Sequence, residues 1–284
     1  MKFQKSIIFS IPALIFGAVL LYFLLWNLYF SFTNWSTSGL VIKFVGLQTY
    51  GKILARSDFI STLSRTLLWT LGNFLVCNAL GVLFASLIFF LKNQRLKTIY
   101  SSLFLYPLAI ALSAVAIIWD WIYSKSEGID YIFRHLGLPS FSWIGSASQA
   151  LPSLIIITMW VYSGLAAIFY LAAFQNVSSE SIESAKLDSA GPFRILRKIL
   201  LPESKNAFIV SSALLIIFSL RTFTIPYVAT GINPNTETSV LYLFNFFDYG
   251  YYADAAVVSI IVVVIAIVVV IPYALFGIKR WISA

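Results

Sequence analysis

Ile260-Ile-Val-Val-Val-Ile-Ala-Ile-Val-Val-Val-Ile271 is the stretch on which the fold turns. Its β-branched residues would ordinarily favour a strand. In a bilayer a lone strand leaves its backbone N–H and C=O groups without partners, whereas a helix pairs them internally. The run is therefore read as the heart of a membrane-spanning helix, extended to Ala253–Ile278. A span needs about 20 mostly apolar residues. Five further runs meet that length: Ile7–Phe32, Thr66–Leu91, Ile99–Tyr123, Leu151–Phe174 and Ala207–Ala229. The expected fold class is all-α: a polytopic membrane protein with six transmembrane helices, forming one membrane domain over residues 1–284.

Composition supports this reading. Hydrophobic residues make up 60% of the 284-residue chain and charged residues 11%, against roughly 45–50% and 25% in soluble domains. The lone Cys77 allows no internal disulfide and no thiolate metal cluster, and His135 is the single histidine. No metal site and no catalytic residues are expected. The net charge of +8 would point to nucleic acid in a soluble protein, but loops of membrane proteins collect Lys and Arg on one side. The N-terminus, 92–98, 175–206 and the C-terminus hold twelve of them: Lys2, Lys5, Lys92, Arg95, Lys97, Lys186, Arg194, Arg197, Lys198, Lys205, Lys279 and Arg280. The loops 33–61, 124–150 and 230–252 hold five: Lys43, Lys52, Arg56, Lys125 and Arg134. That asymmetry predicts a multi-pass protein of the cell membrane with both termini cytoplasmic and no nucleic-acid partner. The first run exceeds a secretory h-region and has no small-x-small site after it, so it reads as a retained anchor helix.

The longest loop on the basic side contains SSESIESAKLDSAGPFRILRKILLP, Ser178–Pro202. Ser178 or Ser179 suits a helix N-cap, and Glu180 and Glu183 favour the positive end of a helix. Small residues recur at Ser181, Ser184, Ala185, Ser189 and Ala190. Gly191-Pro192 ends one helix and starts another. In the second piece Phe193, Leu196, Ile199 and Leu200 are expected on one face, with Arg194, Arg197 and Lys198 on another, and Pro202 opens the fifth span. Pattern alone leaves two readings: a docking surface for another protein, or an amphipathic helix on anionic lipid.

Glu183, Ser184, Ala185 and Asp188, followed at fixed spacing by Ile199, Leu201 and Pro202, resemble the EAA loop of binding-protein-dependent ABC importer permeases. Two residues depart from that pattern: Ser184 stands for an Ala, and Ser189 for the usual Gly. Phe44-Val-Gly-Leu-Gln-Thr-Tyr50 is similar to a segment of carbohydrate-type permeases. Arg221-Thr-Phe-Thr-Ile-Pro-Tyr-Val-Ala-Thr-Gly231 resembles the family's fifth-helix exit, with Thr224 where Asp is common, and Asp248-Tyr-Gly-Tyr-Tyr-Ala253 the entry to its last helix. The resemblance implies half of an importer, for a sugar or another solute. It implies a second permease subunit, two cytosolic ATP-binding subunits holding ATP and Mg, and an extracellular solute-binding protein. No cofactor is expected in this chain, and no enzymatic activity. Within 175–206 it assigns ATPase docking to Glu180, Glu183, Ala185, Asp188, Ser189, Ala190 and Gly191 on a short coupling helix.

A solute pathway needs hydrogen-bonding groups and aromatic faces inside the spans. Asn73 and Asn78 lie in the second run, where amides also serve as interhelical glue. Trp119 and Asp120 sit at the outer end of the third, Trp160 and Tyr162 within the fourth, and Arg221, Thr224 and Tyr227 along the fifth. Aromatic residues are 17% of the chain, and an interfacial belt accounts for many of them. An ionisable residue inside a membrane defaults to function, which singles out Arg221. The main rival is an ion-coupled secondary carrier, which would place acids within spans. Here Asp120 and Asp254 lie near span ends, and the centres hold none.

Overall fold

The computed structural model describes residues 2–39 and 41–282, with side chains at 11–39 and 41–272. The side chains of Lys2, Lys5, Lys279 and Arg280, which enter the charge count, lie outside these. Among the described residues the regular elements are helices, with one isolated bridge between Thr33 and Phe44. In chain order the helices are α1 (Lys2–Ser31), α2 (Gln48–Leu54), α3 (Ser57–Phe90), α4 (Gln94–Ala109), α5 (Leu112–Ile122), α6 (Ile129–His135), α7 (Ala147–Gln175) and α8 (Ser179–Leu187). There follow α9 (Pro192–Ile195), a π-turn (Leu196–Leu200), α10 (Leu201–Glu203), α11 (Lys205–Leu220), α12 (Thr224–Thr230), α13 (Ser239–Asp248) and α14 (Tyr252–Ile282). Among the described residues four helices are long and apolar enough to span: Ile11–Ser31, Ser57–Phe90, Ala147–Gln175 and Tyr252–Pro272. Two bent pairs raise the number to six if each counts as one span.

The third and fifth runs, each read as one span, are interrupted. The third begins earlier, at Gln94, where the Asn93 side chain accepts the Arg95 N–H. It then turns by 98° between α4 and α5. Pro107 removes a backbone donor from the last turn of α4, and Ile110 and Ala111 adopt extended ψ. The fifth run stops at Leu220 and resumes at Thr224. A continuous helix would send the N–H of residue 226 to the Thr222 carbonyl, but residue 226 is proline. The Thr238 hydroxyl donates to that carbonyl instead, at 2.9 Å. Pro202 does not open this span either: α11 starts at Lys205, 73° away from the Pro192–Glu203 segment.

The chain gathers into two compact units: residues up to Ser61 with Tyr242–Val264, and Thr62–Leu241 with residues from Ile265 onward. In the first unit the chain after α1 is stitched by side chains. Asn34 Oδ1 accepts the Lys43 N–H at 2.7 Å, Thr49 donates to the Thr33 carbonyl, and Ser31 meets the Tyr50 hydroxyl at 2.8 Å. Two backbone bonds join it to the start of α14, Thr37 N–H to Gly250 O and Ala253 N–H to Trp35 O, both 2.9 Å.

The second unit holds the main core, built on α7. Gly164 lets α4 and α7 touch backbone to backbone: a Cβ there would stand 1.8 Å from the Phe104 carbonyl oxygen. Buried amides then tie the helices. Asn73 on α3 accepts from Thr158 on α7 at 2.6 Å. Asn78 on α3 accepts from Tyr170 on α7 at 2.9 Å and from Ser211 on α11 at 3.0 Å, and its own amide reaches Ser212.

Outside the spans, Asp130 in the first turn of α6 anchors the 124–146 connection. Its carboxylate accepts from the Ser140 hydroxyl (2.6 Å) and the Phe141 N–H (2.7 Å), with Arg134 at 3.8 Å. The Ser140 hydroxyl, then the Phe141 amide, hold it below the usual carboxylate range, and Arg134 and Lys125 add to this.

Gly164→Ala should destabilise the second unit by about 1–3 kcal/mol, the usual cost of overpacking a tight contact. Thermal unfolding of the detergent-solubilised protein reads this as a lower midpoint. For Asp130 the folded pKa is depressed, so its stabilisation is present above the unfolded value of about 3.9 and is lost as pH falls through the folded one. Amide-exchange protection around Phe141 should therefore fall on acidification below about pH 4, and Asp130→Asn should weaken it at neutral pH and remove the pH dependence.

Candidate functional site

The 175–206 segment folds as two helical pieces around a tight turn. Ser178 caps α8 by accepting the Ser181 N–H at 3.3 Å, and the two hydroxyls meet at 2.7 Å. Glu180 in the first turn and Lys186 in the last both suit the helix dipole. At the C-terminus the Ser189 N–H bonds to the Lys186 carbonyl at 3.0 Å and the Ala190 N–H to the Ala185 carbonyl at 2.9 Å. This bond pair is a Schellman motif, which requires a left-handed residue at its centre. Ser189 supplies it with φ of 57°, the one non-glycine residue at positive φ among the described residues. The structure therefore keeps the turn at the position where the family pattern carries glycine, with a side chain strained in place. Gly191 stands in extended backbone and caps α9, with Pro192 at its first turn.

α8 buries no residue of its own. Ile182 and Ala185, with Ala190 just beyond the helix, lean half-buried against the core of the second unit. Glu180, Glu183, Ser184 and Leu187 recur at helical spacing on the opposite, exposed stripe. Asp188 and Ser189 are exposed beside it. Leu187 (87% exposed) and Phe193 (75%) are the two most exposed large apolar side chains among the described residues. Composition gave no reason to single out Leu187. Phe193 departs from the expected apolar face with Leu196, Ile199 and Leu200. Ile195 and Leu200 are the buried pair instead, five residues apart, because the π-turn over Leu196–Leu200 shifts the helical register.

The candidate pathway residues fall into separate groups. Trp119 and Trp160 meet edge to face at 5.9 Å, and Tyr123 bridges from Trp119 (5.3 Å) to a stacked Trp143 (5.2 Å). The buried indole N–H groups of Trp119 and Trp143 meet no acceptor among the described residues. Trp143 lies in a loop that sequence reasoning passed over. Asp120 is exposed beside this cluster. Tyr162 packs on Phe218 at 5.3 Å, and the Arg221 guanidinium sits over the same Phe218 ring at 4.9 Å. Arg221 does not lie inside a helix: it is the exposed C-cap of α11. Thr224 opens α12, and Tyr227 stacks on Phe223 at 5.0 Å. Asn73 and Asn78 are committed to interhelical bonds, although Asn78 also lines one wall of an apolar groove of about 590 Å³ with Tyr170 and Phe208.

Among the described residues, four long apolar helices and two bent helix pairs, with a two-piece helical segment bearing exposed apolar residues, fit a multi-pass membrane protein. Residues 78–282 match the family described as "Binding-protein-dependent transport system inner membrane component", and the chain belongs to it. It is thus a multi-pass inner-membrane permease of the ABC importer class. It is 39% identical to the "Glucose import system permease protein GlcT" of Saccharolobus solfataricus over 98% of both chains. It is 29% identical to the "Trehalose/maltose transport system permease protein MalF" of Thermococcus litoralis, over 82% of this chain and 80% of that one. A chain of a bacterial alginate ABC transporter, crystallised in complex with an alginate pentasaccharide-bound periplasmic protein, shares the fold. Its TM-score is 0.83 at 19% identity, over 95% of this chain and 92% of that one.

Left-handed backbone with a Cβ costs roughly 1–2 kcal/mol, and glycine is free of that cost. Ser189→Gly should therefore stabilise the end of α8 by about 0.5–1 kcal/mol after the added unfolded-state entropy is offset. Slower hydrogen exchange at the Ser189 and Ala190 amides checks this.

Proposed function

We propose that this chain forms half of the translocation path of an ATP-driven sugar importer and docks a cytosolic ATPase through 175–206. The observation that carries the docking reading is the exposed stripe of α8, with Leu187 and Phe193 bare at either side of the turn. A contiguous exposed apolar patch marks an interaction site, and in this reading Leu187 and Phe193 supply one to a partner groove. A membrane-resting helix would set its apolar and basic residues toward lipid. Here Glu180 and Glu183 share the stripe with Leu187, which disfavours an anionic surface and suits a protein groove.

The turn makes the docking piece rigid. Ile195 and Leu200 belong to the same buried cluster as Tyr170 and Phe174 of α7, and Ala185 and Ala190 pack against it. Movement of α8 by a partner would be delivered to α7 rather than absorbed by a loose loop. In this reading ATP and Mg belong to two partner subunits, a second permease chain completes the path, and an extracellular binding protein delivers the sugar. This chain has no Gly-rich phosphate loop with Lys and Ser/Thr, so it hydrolyses no ATP alone. The sugar reading draws on the names of the relatives and on the aromatic cluster of Trp119, Trp143 and Trp160. The charge asymmetry of the loops supports cytoplasmic termini.

Leu187→Asp and Glu183→Lys should each lower ATPase co-purification and uptake severalfold while membrane insertion stays normal. Normal values in both variants would sink the docking reading. Ala185 packs on its own chain, so Leu187 separates docking from folding more cleanly. Cysteines placed at Ser126 and Asn233 should label from outside the cell; labelling from the cytoplasmic side alone would reverse the orientation.

A further inference from the structure

Two sequence segments that the docking and pathway readings leave unused meet in the first unit. Phe44–Tyr50 leads into α2, and Asp248–Ala253 leads into α14. Trp35 and Thr37 clasp the second segment through their backbone bonds to Ala253 and Gly250. Gly250 takes φ of 78°, and a Cβ there would lie 2.2 Å from the Thr37 hydroxyl. Between the segments opens a cleft of about 450 Å³, lined by Asn34, Trp35, Gln48, Lys52, Tyr251 and Asp254 among others.

The floor of the cleft is an ion pair. Lys52 Nζ reaches Asp254 Oδ2 at 2.8 Å, with the Asp254 side chain 8% exposed and Lys52 57%. Lys52 uses one of three N–H donors there, and Asp254 Oδ1 has no hydrogen bond among the described residues. Asn34 commits its Oδ1 to the Lys43 N–H, which leaves its amide donors over. Neither the Gln48 amide nor the Tyr251 hydroxyl meets a protein partner among the described residues, and the Tyr251 ring is 47% exposed. Donors and acceptors therefore converge beside an aromatic face.

The charges select the ligand. An anion would face the Asp254 carboxylate, and a cation would face the Lys52 ammonium. A zwitterion would have to separate a pair already in contact. An apolar molecule would leave the buried Asp254 oxygen without a donor, at the desolvation cost of an unmade hydrogen bond. A neutral molecule rich in hydroxyls avoids all four penalties. Its vicinal hydroxyls can accept from Lys52 and Asn34 and donate to Asp254, while its C–H face rests on Tyr251.

We propose that this cleft binds a neutral pyranose or similar polyol, as a receiving site separate from the Trp119 cluster. The inference rests on the sugar reading above and adds a place where the cargo is held. The test uses the assembled importer in glycolipid-free phosphatidylcholine nanodiscs, without the binding protein. D-glucose and maltose are titrated by saturation-transfer NMR, and uptake of the same sugars is measured in parallel in proteoliposomes that hold the importer, with ATP inside and the binding protein outside. Gln48→Ala and Tyr251→Ala alter exposed side chains and leave the ion pair intact. Each should raise the dissociation constant about three- to tenfold, the loss of roughly one net hydrogen bond or ring contact. Gln48→Asn should recover part of the loss. Sugar uptake by the wild type, with binding unchanged in both variants, would overturn the cleft alone. A wild type that takes up no mono- or disaccharide would overturn the sugar reading and the cleft with it.

Discussion

Every backbone N–H and C=O in the apolar part of this chain has to find a partner without help from water. That constraint is met by helices wherever they run straight, and it becomes specific where they bend. At the fifth-run break, Pro226 withholds the donor that the Thr222 carbonyl would otherwise receive, and Thr238 provides one from a distant loop. The bend is therefore tolerated because one hydroxyl is placed to meet one carbonyl. It also moves Arg221 out of a helix interior to an exposed cap over Phe218.

The same demand explains the buried amides. Asn73 and Asn78 would be costly in a dry interior if left unpaired. Each is instead a node joining α3 to α7, and Asn78 also reaches α11. These bonds, together with the close α4–α7 crossing at Gly164, hold the helices against which the 175–206 segment is seated. The left-handed Ser189 completes that seating. It turns the chain so that Ala190 and Ile195 pack inward while Leu187 and Phe193 stay bare. Strain at one residue is held in place by two backbone bonds and by the packing of half-buried Ala185 and Ala190 against the core.

The first unit follows a different logic. Beside apolar contacts such as Phe30–Trp35 and Trp35–Tyr252, it carries short polar clasps between loops and helix ends. Asn34, Thr49 and Ser31 shape the chain after α1, and the Lys52–Asp254 pair joins α2 to α14. Such clasps leave hydrogen-bonding capacity unspent around a cleft, which apolar packing would have filled.

The sequence by itself determined the class. Runs of about 20 apolar residues with few charges permit little besides spanning helices, and the Ser178–Pro202 pattern marked the family and the start of its short helix. Helix capping at Ser178 and the start of the second piece at Gly191-Pro192 were also legible, because both depend on neighbours in sequence, but the first helix ends earlier than Gly191, at Leu187, with its turn at Ser189. What only the tertiary structure decided depends on residues far apart. The bend at residues 221–223 needed Thr238, the commitment of Asn78 needed Tyr170 and Ser211, and the inward face of the second helical piece needed a π-turn that no 3.6-residue period reveals. Ser189 lies between the two cases. The missing glycine was visible in the sequence, but packing of Ala185 and Ala190 against the core decided that serine would adopt the left-handed turn.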